Sequence, residues 1–245
     1  MRIDILTLFD EYMDYLLGQS IIGRARAAGY LDIRAHNFRA YANDKHHTVD
    51  GAPYGGGKGM LLKPEPICDC YRAVTADAEK KPHTVYLSPK GQVLTQEIAR
   101  RLAKEDRLVF LCGHYEGVDQ RALDEIVDEE ISIGDYVLTG GELACAVVVD
   151  CLCRMVDGVL DSPECYEQES HYNGLLEYPQ YTRPEVYGGE PVPRVLLDGN
   201  HADIEKWRRE RSLEITEKNR PDLLIRADLT RSDLDFLEKK EGEKK

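Results

Sequence analysis

The chain of 245 residues is 42% hydrophobic and 31% charged, the balance of a globular protein with one large domain, or a medium domain and a small one. No run approaches the roughly eighteen unbroken apolar residues of a membrane span; the most apolar window, 143–149, stops at Asp150, and Asp4 interrupts the apolar core that a signal peptide needs. The net charge of −13 counts against a nucleic-acid partner, although residues 206–226 carry seven Lys/Arg against four acids, which leaves RNA possible without arguing for it.

In chain order, residues 2–9 alternate weakly and are rich in Ile and Leu, which predicts a strand. Apolar residues at 16, 17, 21, 22, 25 and 28 follow the helical period and predict one helix over 13–28, stopped by Gly29. A strand at 31–38 precedes a polar, glycine-rich loop at 41–59. Helix 64–78, strand 83–88, helix 95–104, strand 107–112, a short helix at 118–126, a short strand at 130–133 and a long apolar helix at 140–155 follow. Strands alternating with helices imply a parallel sheet covered on both faces, with ligands held beyond the carboxyl ends of the strands. Residues 161–193 hold most of the late Pro, Gly and Tyr and read as irregular. Helices at 202–216 and 231–239 belong to a smaller second domain, and the Glu/Lys tail 238–245 reads as frayed.

The seven cysteines form no C-x-x-C motif. The pairs Cys68/Cys70 and Cys151/Cys153 fall on helical segments, where a spacing of two does not converge on a metal, so the cysteines read as buried free thiols in a reducing, cytoplasmic setting. No metal site is expected.

Three strand ends concentrate the unusual residues. They are Tyr86-Leu87-Ser88-Pro89-Lys90-Gly91, then Cys112-Gly113-His114-Tyr115-Glu116-Gly117-Val118-Asp119, and Ile131-Ser132-Ile133-Gly134-Asp135-Tyr136-Val137-Leu138-Thr139-Gly140-Gly141-Glu142. Glycine there leaves backbone donors and acceptors open to a ligand, and Leu87, Val137 and Leu138 offer an apolar floor for an adenine. The segment Tyr54-Gly55-Gly56-Gly57-Lys58-Gly59-Met60 lacks the spacing and the Ser/Thr of a phosphate-binding P-loop, and no G-x-G-x-x-G follows the first strand. ATP and NAD are thereby disfavoured.

The second and third of these blocks, with Pro53-Tyr54-Gly55-Gly56-Gly57, Pro179-Gln180-Tyr181-Thr182-Arg183-Pro184 and Leu197-Asp198-Gly199-Asn200-His201-Ala202 followed by Trp207-Arg208, resemble the bacterial tRNA (guanine-N(1)-)-methyltransferase family, TrmD. The resemblance runs in order from residue 2 to about 237. It implies an α/β parallel sheet with a deep trefoil knot, a SPOUT-type methyltransferase, plus a small C-terminal helical domain. Implied boundaries are a knotted S-adenosylmethionine-binding domain at 1–160, a linker at 161–175 and a tRNA-binding domain at 176–245. The implied reaction methylates ring nitrogen 1 of guanosine at tRNA position 37.

Carried onto this sequence, the family's cofactor site falls on Tyr86, Leu87, Ser88, Pro89, Gly113, Tyr115, Glu116, Gly117, Ser132, Ile133, Gly134, Asp135, Tyr136, Val137, Leu138, Gly140 and Gly141. Glu116 is the nearest counter-charge for the cofactor's cationic groups. The family's catalytic base corresponds to Glu169, where relatives usually carry Asp, and its catalytic arginine to Arg154. His114 and His171 are alternative bases. The resemblance further implies magnesium dependence and a homodimer in which the linker and C-terminal domain of one subunit complete the other's site, with tRNA rather than DNA or a membrane as partner. Two other readings stay open: a related knotted enzyme acting on ribosomal RNA or on a ribose 2′-hydroxyl, and a catalytically silent S-adenosylmethionine-binding RNA module. Lys206-Trp207-Arg208-Arg209-Glu210-Arg211 is the best local candidate for contacting RNA.

Overall fold

The computed structural model describes residues 1–243, which fall into two compact units divided between Ser162 and Pro163. The first unit begins with β1 (Arg2–Thr7), α1 (Asp10–Leu17), α2 (Ser20–Ala27) and β2 (Asp32–Asn37). A 3-10 turn (Phe38–Tyr41) leads to the short β3 (Asp50–Gly51) and β4 (Leu61–Leu62). There follow α3 (Pro64–Thr75), β5 (His83–Val93), α4 (Gln96–Leu102), β6 (Arg107–Cys112), α5 (Gln120–Ile126), β7 (Glu129–Ser132) and α6 (Glu142–Cys153).

Five strands form a sheet in the order β2-β1-β6-β5-β7, and every pairing in it is parallel. Its strands are apolar on both faces, as a doubly covered sheet requires. Ile3, Ile5, Val85, Leu87, Leu108 and Phe110 pack under α1, α2, α4 and α6. Leu6, Tyr86, Val109 and Leu111 alternate with them and pack against α3 and α5 through Ile67, Tyr71, Ala122, Leu123 and Ile126. This is the parallel α/β architecture expected from the strand and helix alternation.

Several boundaries differ from the periodicity. The helix expected over 13–28 is two helices, because Gln19 is extended and Ser20 takes φ 52°, a break the apolar spacing does not register. The strand expected to end at 88 leaves the ladder after Leu87, which pairs with Ile131, and rejoins it at Gln92 opposite the same residue. Residues 88–91 are therefore an excursion within β5. The loop expected over 41–59 contains β3, which pairs with β4 just beyond it. None of the seven cysteines forms a disulfide, but Cys165 is exposed and Cys151 half-buried, so the expectation of uniformly buried thiols fails at both.

The second unit holds α7 (Glu164–Glu167), the two-stranded β8 (Val186–Tyr187) and β9 (Glu190–Pro191), a 3-10 turn (Arg194–Leu196), and the helices α8 (His201–Asn219), α9 (Pro221–Leu224) and α10 (Arg231–Glu243). The segment expected to be irregular thus carries α7 and a hairpin. The tail expected to be frayed is helical through 243, and 244–245 lie outside the described residues. A small core gathers Leu175, Ser212, Leu213 and Thr216. The Thr216 hydroxyl donates to the Ser212 carbonyl at 2.6 Å and accepts from the Leu176 N–H at 2.9 Å, which satisfies a polar group that has no access to solvent.

Asp4, in β1, is a fully buried ion. It accepts from Arg107 Nε at 2.9 Å and Arg2 at 3.3 Å, and pairs with His36 Nε2 at 2.8 Å. Burial pushes its carboxyl up, but hydrogen bonds from His36 and Arg2 and the charges of Arg107 and Arg2 outweigh it, leaving the group below the ordinary carboxylate range. Asp4→Asn, which strands those cations, is expected to cost about 3 kcal/mol of unfolding free energy at neutral pH in urea titration. Because the folded value is depressed, the wild-type advantage is complete above the ordinary value of about 4 and shrinks as pH falls through the folded value. An advantage undiminished in strong acid contradicts this assignment.

Candidate active site

Beyond the carboxyl ends of β5, β6 and β7 the first unit opens into a cleft of about 370 Å³, within the range of small-ligand sites. Three segments wall it: the excursion after Leu87, the turn after β6 and the long connection from β7 to α6. Two of these are stitched together by backbone. His114 bridges to Gly140 in antiparallel fashion, and the Gly141 N–H donates to the Gly113 carbonyl at 2.8 Å. A Cβ on Gly141 would lie 2.9 Å from Cys112 Cα and 3.0 Å from Gly113 N, so only glycine permits this approach. The third connection turns at Gly134, whose φ is 142°, and the Gly134 N–H donates to the Ser132 hydroxyl at 3.1 Å. Tyr136 folds back so that its phenol donates to the Ile133 carbonyl at 3.2 Å.

All the residues expected to hold a cofactor line this one cleft except Asp135. The expected apolar floor is only partly as read. Leu87 is buried and, with Ile131 beneath the cleft, forms the base, whereas Val137 is 81% exposed and Leu138 also reaches solvent, so both belong to the outer wall. Burial, reinforced by the negative charge of Glu130, pushes the Tyr86 phenol up to about 12, which keeps it a protonated donor at neutral pH. Glu116 is exposed at the rim. Its N–H donates to the Met60 carbonyl at 3.0 Å, while no described residue forms a hydrogen bond or ion pair with its carboxylate.

Sequence reasoning missed the buried pair Glu142 and Thr7. The Thr7 hydroxyl donates to Glu142 Oε1 at 2.8 Å and itself accepts from the Phe9 N–H at 3.0 Å. An acid at the first position of α6 reads as an ordinary complement to the helix dipole, and nothing in the sequence marks it as buried. His114 also lines the cleft, with Nδ1 buried and lacking a hydrogen-bond partner, and its ring lies 5.2 Å from Phe9.

Of the remaining expected residues, Arg154 follows directly on α6 and is half-buried. Glu169 lies in the second unit, where it lines a smaller cleft with Gln168, Asn173, Tyr178, Glu205 and Arg208. His171, in the same unit, has φ 71° and its N–H donates to the Leu175 carbonyl at 2.8 Å. Trp207 stands 6.5 Å from the Tyr178 ring and 6.3 Å from Tyr181, and the Arg208 guanidinium lies 5.0 Å from the Tyr178 centroid. Most of the basic strip is internally engaged. Arg208 pairs with Glu205, Arg211 with Glu214, and Arg209 with the buried Asp233, itself held by Thr230. Lys206 projects, 4.0 Å from Glu210.

A parallel α/β sheet with glycine-lined loops around a cleft beyond its strands, in the same chain as a small helical unit with a cation–aromatic face, defines the class: an α/β protein of the parallel-sheet kind, in which ligand sites characteristically lie at the strand ends. The family model of tRNA (Guanine-1)-methyltransferase TrmD matches residues 1–226. Relatives named tRNA (guanine-N(1)-)-methyltransferase include one from Ruminiclostridium cellulolyticum, 54% identical over 223 residues covering 91% of this chain and 96% of its own length. Those from Clostridium novyi and from the Hall strain of Clostridium botulinum are 54% and 55% identical, each covering 97% of both chains. The chain belongs to the tRNA (Guanine-1)-methyltransferase TrmD family.

The geometry separates two cations of the basic strip. Arg209→Glu places a second acid beside Asp233 and is expected to lower the unfolding midpoint of the second unit by several degrees, about 2 kcal/mol, whereas Lys206→Glu shifts it by less than about 0.5 kcal/mol. Calorimetric melts of both variants check this, and equal effects would contradict the assignment of Arg209 as a structural ion.

Proposed function

We propose that this chain transfers a methyl group from S-adenosylmethionine to ring nitrogen 1 of guanosine at position 37 of tRNA. The observation that carries the reading is the cleft. Residues gathered from three separate strand ends, which the family resemblance assigns to the cofactor, converge on one glycine-lined wall. Such loops also fit the trefoil knot that the family implies, since the turn after β6 and the start of α6 are joined backbone to backbone. In this reading residues 1–160 hold the cofactor, 161–175 act as linker and 176–245 engage tRNA. A cytoplasmic setting follows from that substrate, and among the described residues no helix is long and apolar enough to cross a membrane.

Guanine nitrogen 1 carries a proton, and its lone pair is delocalised into the ring amide. Methylation there needs a base for the proton and a cation near oxygen 6, where charge develops. When bound, S-adenosylmethionine supplies an electrophilic methyl on a cationic sulfur. Glu169 accepts the nitrogen-1 proton. Arg154, which stays charged at any working pH, stabilises the oxygen-6 charge. Tyr86, Ser132 and the backbone around Gly134, Gly140 and Gly141 would hold the nucleoside part of the cofactor, and Glu116 would offer a counter-charge to its cationic groups. A base in a single-stranded loop enters the pocket at low unstacking cost, which favours a nucleotide beside the anticodon. Magnesium, implied by the family, has no evident seat: among the described residues no three His, Cys, Asp or Glu gather as a metal site, and no step is routed through it.

A homodimer is supported by the exposed apolar side chains of Tyr12 and Tyr15 on α1 and Leu143 and Val147 on α6, helices that pack together in the first unit.

The test mixes the protein with labelled S-adenosylmethionine and unmodified tRNA, then digests the RNA and maps the label by mass spectrometry. 1-Methylguanosine at position 37 is expected; a methyl on ribose or another base overturns the proposal, and no turnover indicates a silent binding module. Under single-turnover conditions Glu169→Gln is expected to slow methylation at least about a hundredfold with little change in cofactor or tRNA affinity, and Glu169→Asp to retain much of the rate. A wild-type rate in Glu169→Gln assigns the base elsewhere.

A further inference from the structure

The glycine-rich segment 54–60, which lacks the spacing of a P-loop, does not itself line the cleft but leads into a stretch that runs beside one of its walls. Residues 60–62 run beside the turn after β6. The Met60 carbonyl accepts from Glu116 N–H at 3.0 Å, Leu62 N–H donates to the Gly117 carbonyl at 2.9 Å, and Asp119 N–H donates to the Leu62 carbonyl at 3.0 Å. This brings Gly59 against the Glu116 side chain. A Cβ on Gly59 would stand 2.5 Å from Glu116 Cγ and 2.8 Å from its Cδ. The loop's other glycines differ: nothing lies within 4 Å of a Cβ placed on Gly55 or Gly56, and Gly57 would meet only Pro53 at 3.9 Å.

The carboxylate of Glu116 has no hydrogen-bonding or charged partner among the described residues, so polar contacts do not fix its direction. A glutamate left to itself samples many rotamers, and that freedom is lost when it meets a cation. In the observed rotamer the Glu116 side chain lies over the bare face of Gly59, space that a Cβ there would take.

We propose that Gly59 is a positioning residue, its missing side chain forming the seat that aims the Glu116 carboxylate at the cationic end of the ligand in the cleft. The inference rests on the reading of that ligand as S-adenosylmethionine. Added bulk at Gly59 meets a flexible side chain rather than backbone, so it displaces Glu116 without breaking the fold. Gly59 has φ 93° and Gly55 has φ 84°, so alanine strains both backbones alike, and only at Gly59 does it also strike Glu116.

The experiment titrates S-adenosylmethionine into the full-length protein by calorimetry for Gly59→Ala, Gly55→Ala, Glu116→Ala and the double variant Gly59→Ala/Glu116→Ala. Methylthioadenosine, which keeps the nucleoside and lacks the cationic groups, serves as second probe. Gly59→Ala is expected to weaken S-adenosylmethionine binding about tenfold, the scale of a lost charged contact. It should leave methylthioadenosine affinity unchanged, while Gly55→Ala binds both as wild type does. The double variant should bind S-adenosylmethionine no more weakly than Glu116→Ala. Wild-type affinity in Gly59→Ala, equal losses for both probes, or additive losses in the double variant would overturn the proposal. Undiminished binding in Glu116→Ala overturns it too, by removing the counter-charge. A wild-type protein that binds neither probe instead refutes the cofactor reading on which it rests.

Discussion

The arrangement depends on one close approach, the backbone of Gly140–Gly141 lying against that of Cys112–Gly113. Gly141 has unremarkable right-handed torsions, φ −81° and ψ −8°, so conformational freedom does not explain it. Space does. The Gly141 N–H reaches the Gly113 carbonyl only because no Cβ intervenes. That contact fixes where α6 begins, and the start of α6 in turn buries Glu142 against Thr7 at the end of β1. Three stretches distant in sequence are thereby tied at the carboxyl end of the sheet: the end of β1, the end of β6, and the connection out of β7 where it enters α6.

From this tie the cleft's character follows. Gly113 is held over the Tyr86 ring, with a hypothetical Cβ only 2.7 Å from the phenol oxygen. The wall is therefore backbone and the base is apolar, with a buried phenol between them. In the proposed function such a surface would take the cofactor's heterocycle and ribose by hydrogen-bond pattern and shape, without a phosphate-binding turn. The charged work is left to the rim, where Glu116 stands without a counter-ion, and to Glu169 and Arg154, which the proposed chemistry uses as base and oxyanion partner.

How much of this could be read in advance varies with the physics of each element. β6 was legible because burial on both faces leaves a continuous apolar run, β1 from its weak alternation and its Ile and Leu, and the three loops that wall the cleft because glycines cluster at successive strand ends. The break between α1 and α2 was not legible, since Ser20 supplies the positive φ that glycine usually announces. Nor was the return of β5 to the ladder at Gln92, because an excursion of four residues has no periodicity. In the site, Tyr86, Gly113, Gly134 and Gly141 were legible by position, whereas Ile131 and the Glu142–Thr7 pair depend on contacts between distant segments. The basic strip on α8 shows the converse limit: Arg209 reads like a solvent-facing cation and is instead the partner of a buried acid. Family resemblance, not pattern, supplied the roles of Glu169 and Arg154.

The central claim is that backbone closure at Gly141 shapes the cleft proposed to hold the cofactor, and Gly141→Ala isolates it, because alanine tolerates the torsions and offends only the space. Calorimetric titration of this variant with S-adenosylmethionine, beside a thermal melt, is the most direct test. The account predicts a cooperatively folded protein whose affinity falls at least about tenfold, since backbone at Cys112 and Gly113 must move to admit the methyl. A folded Gly141→Ala that binds S-adenosylmethionine as tightly as wild type would contradict it.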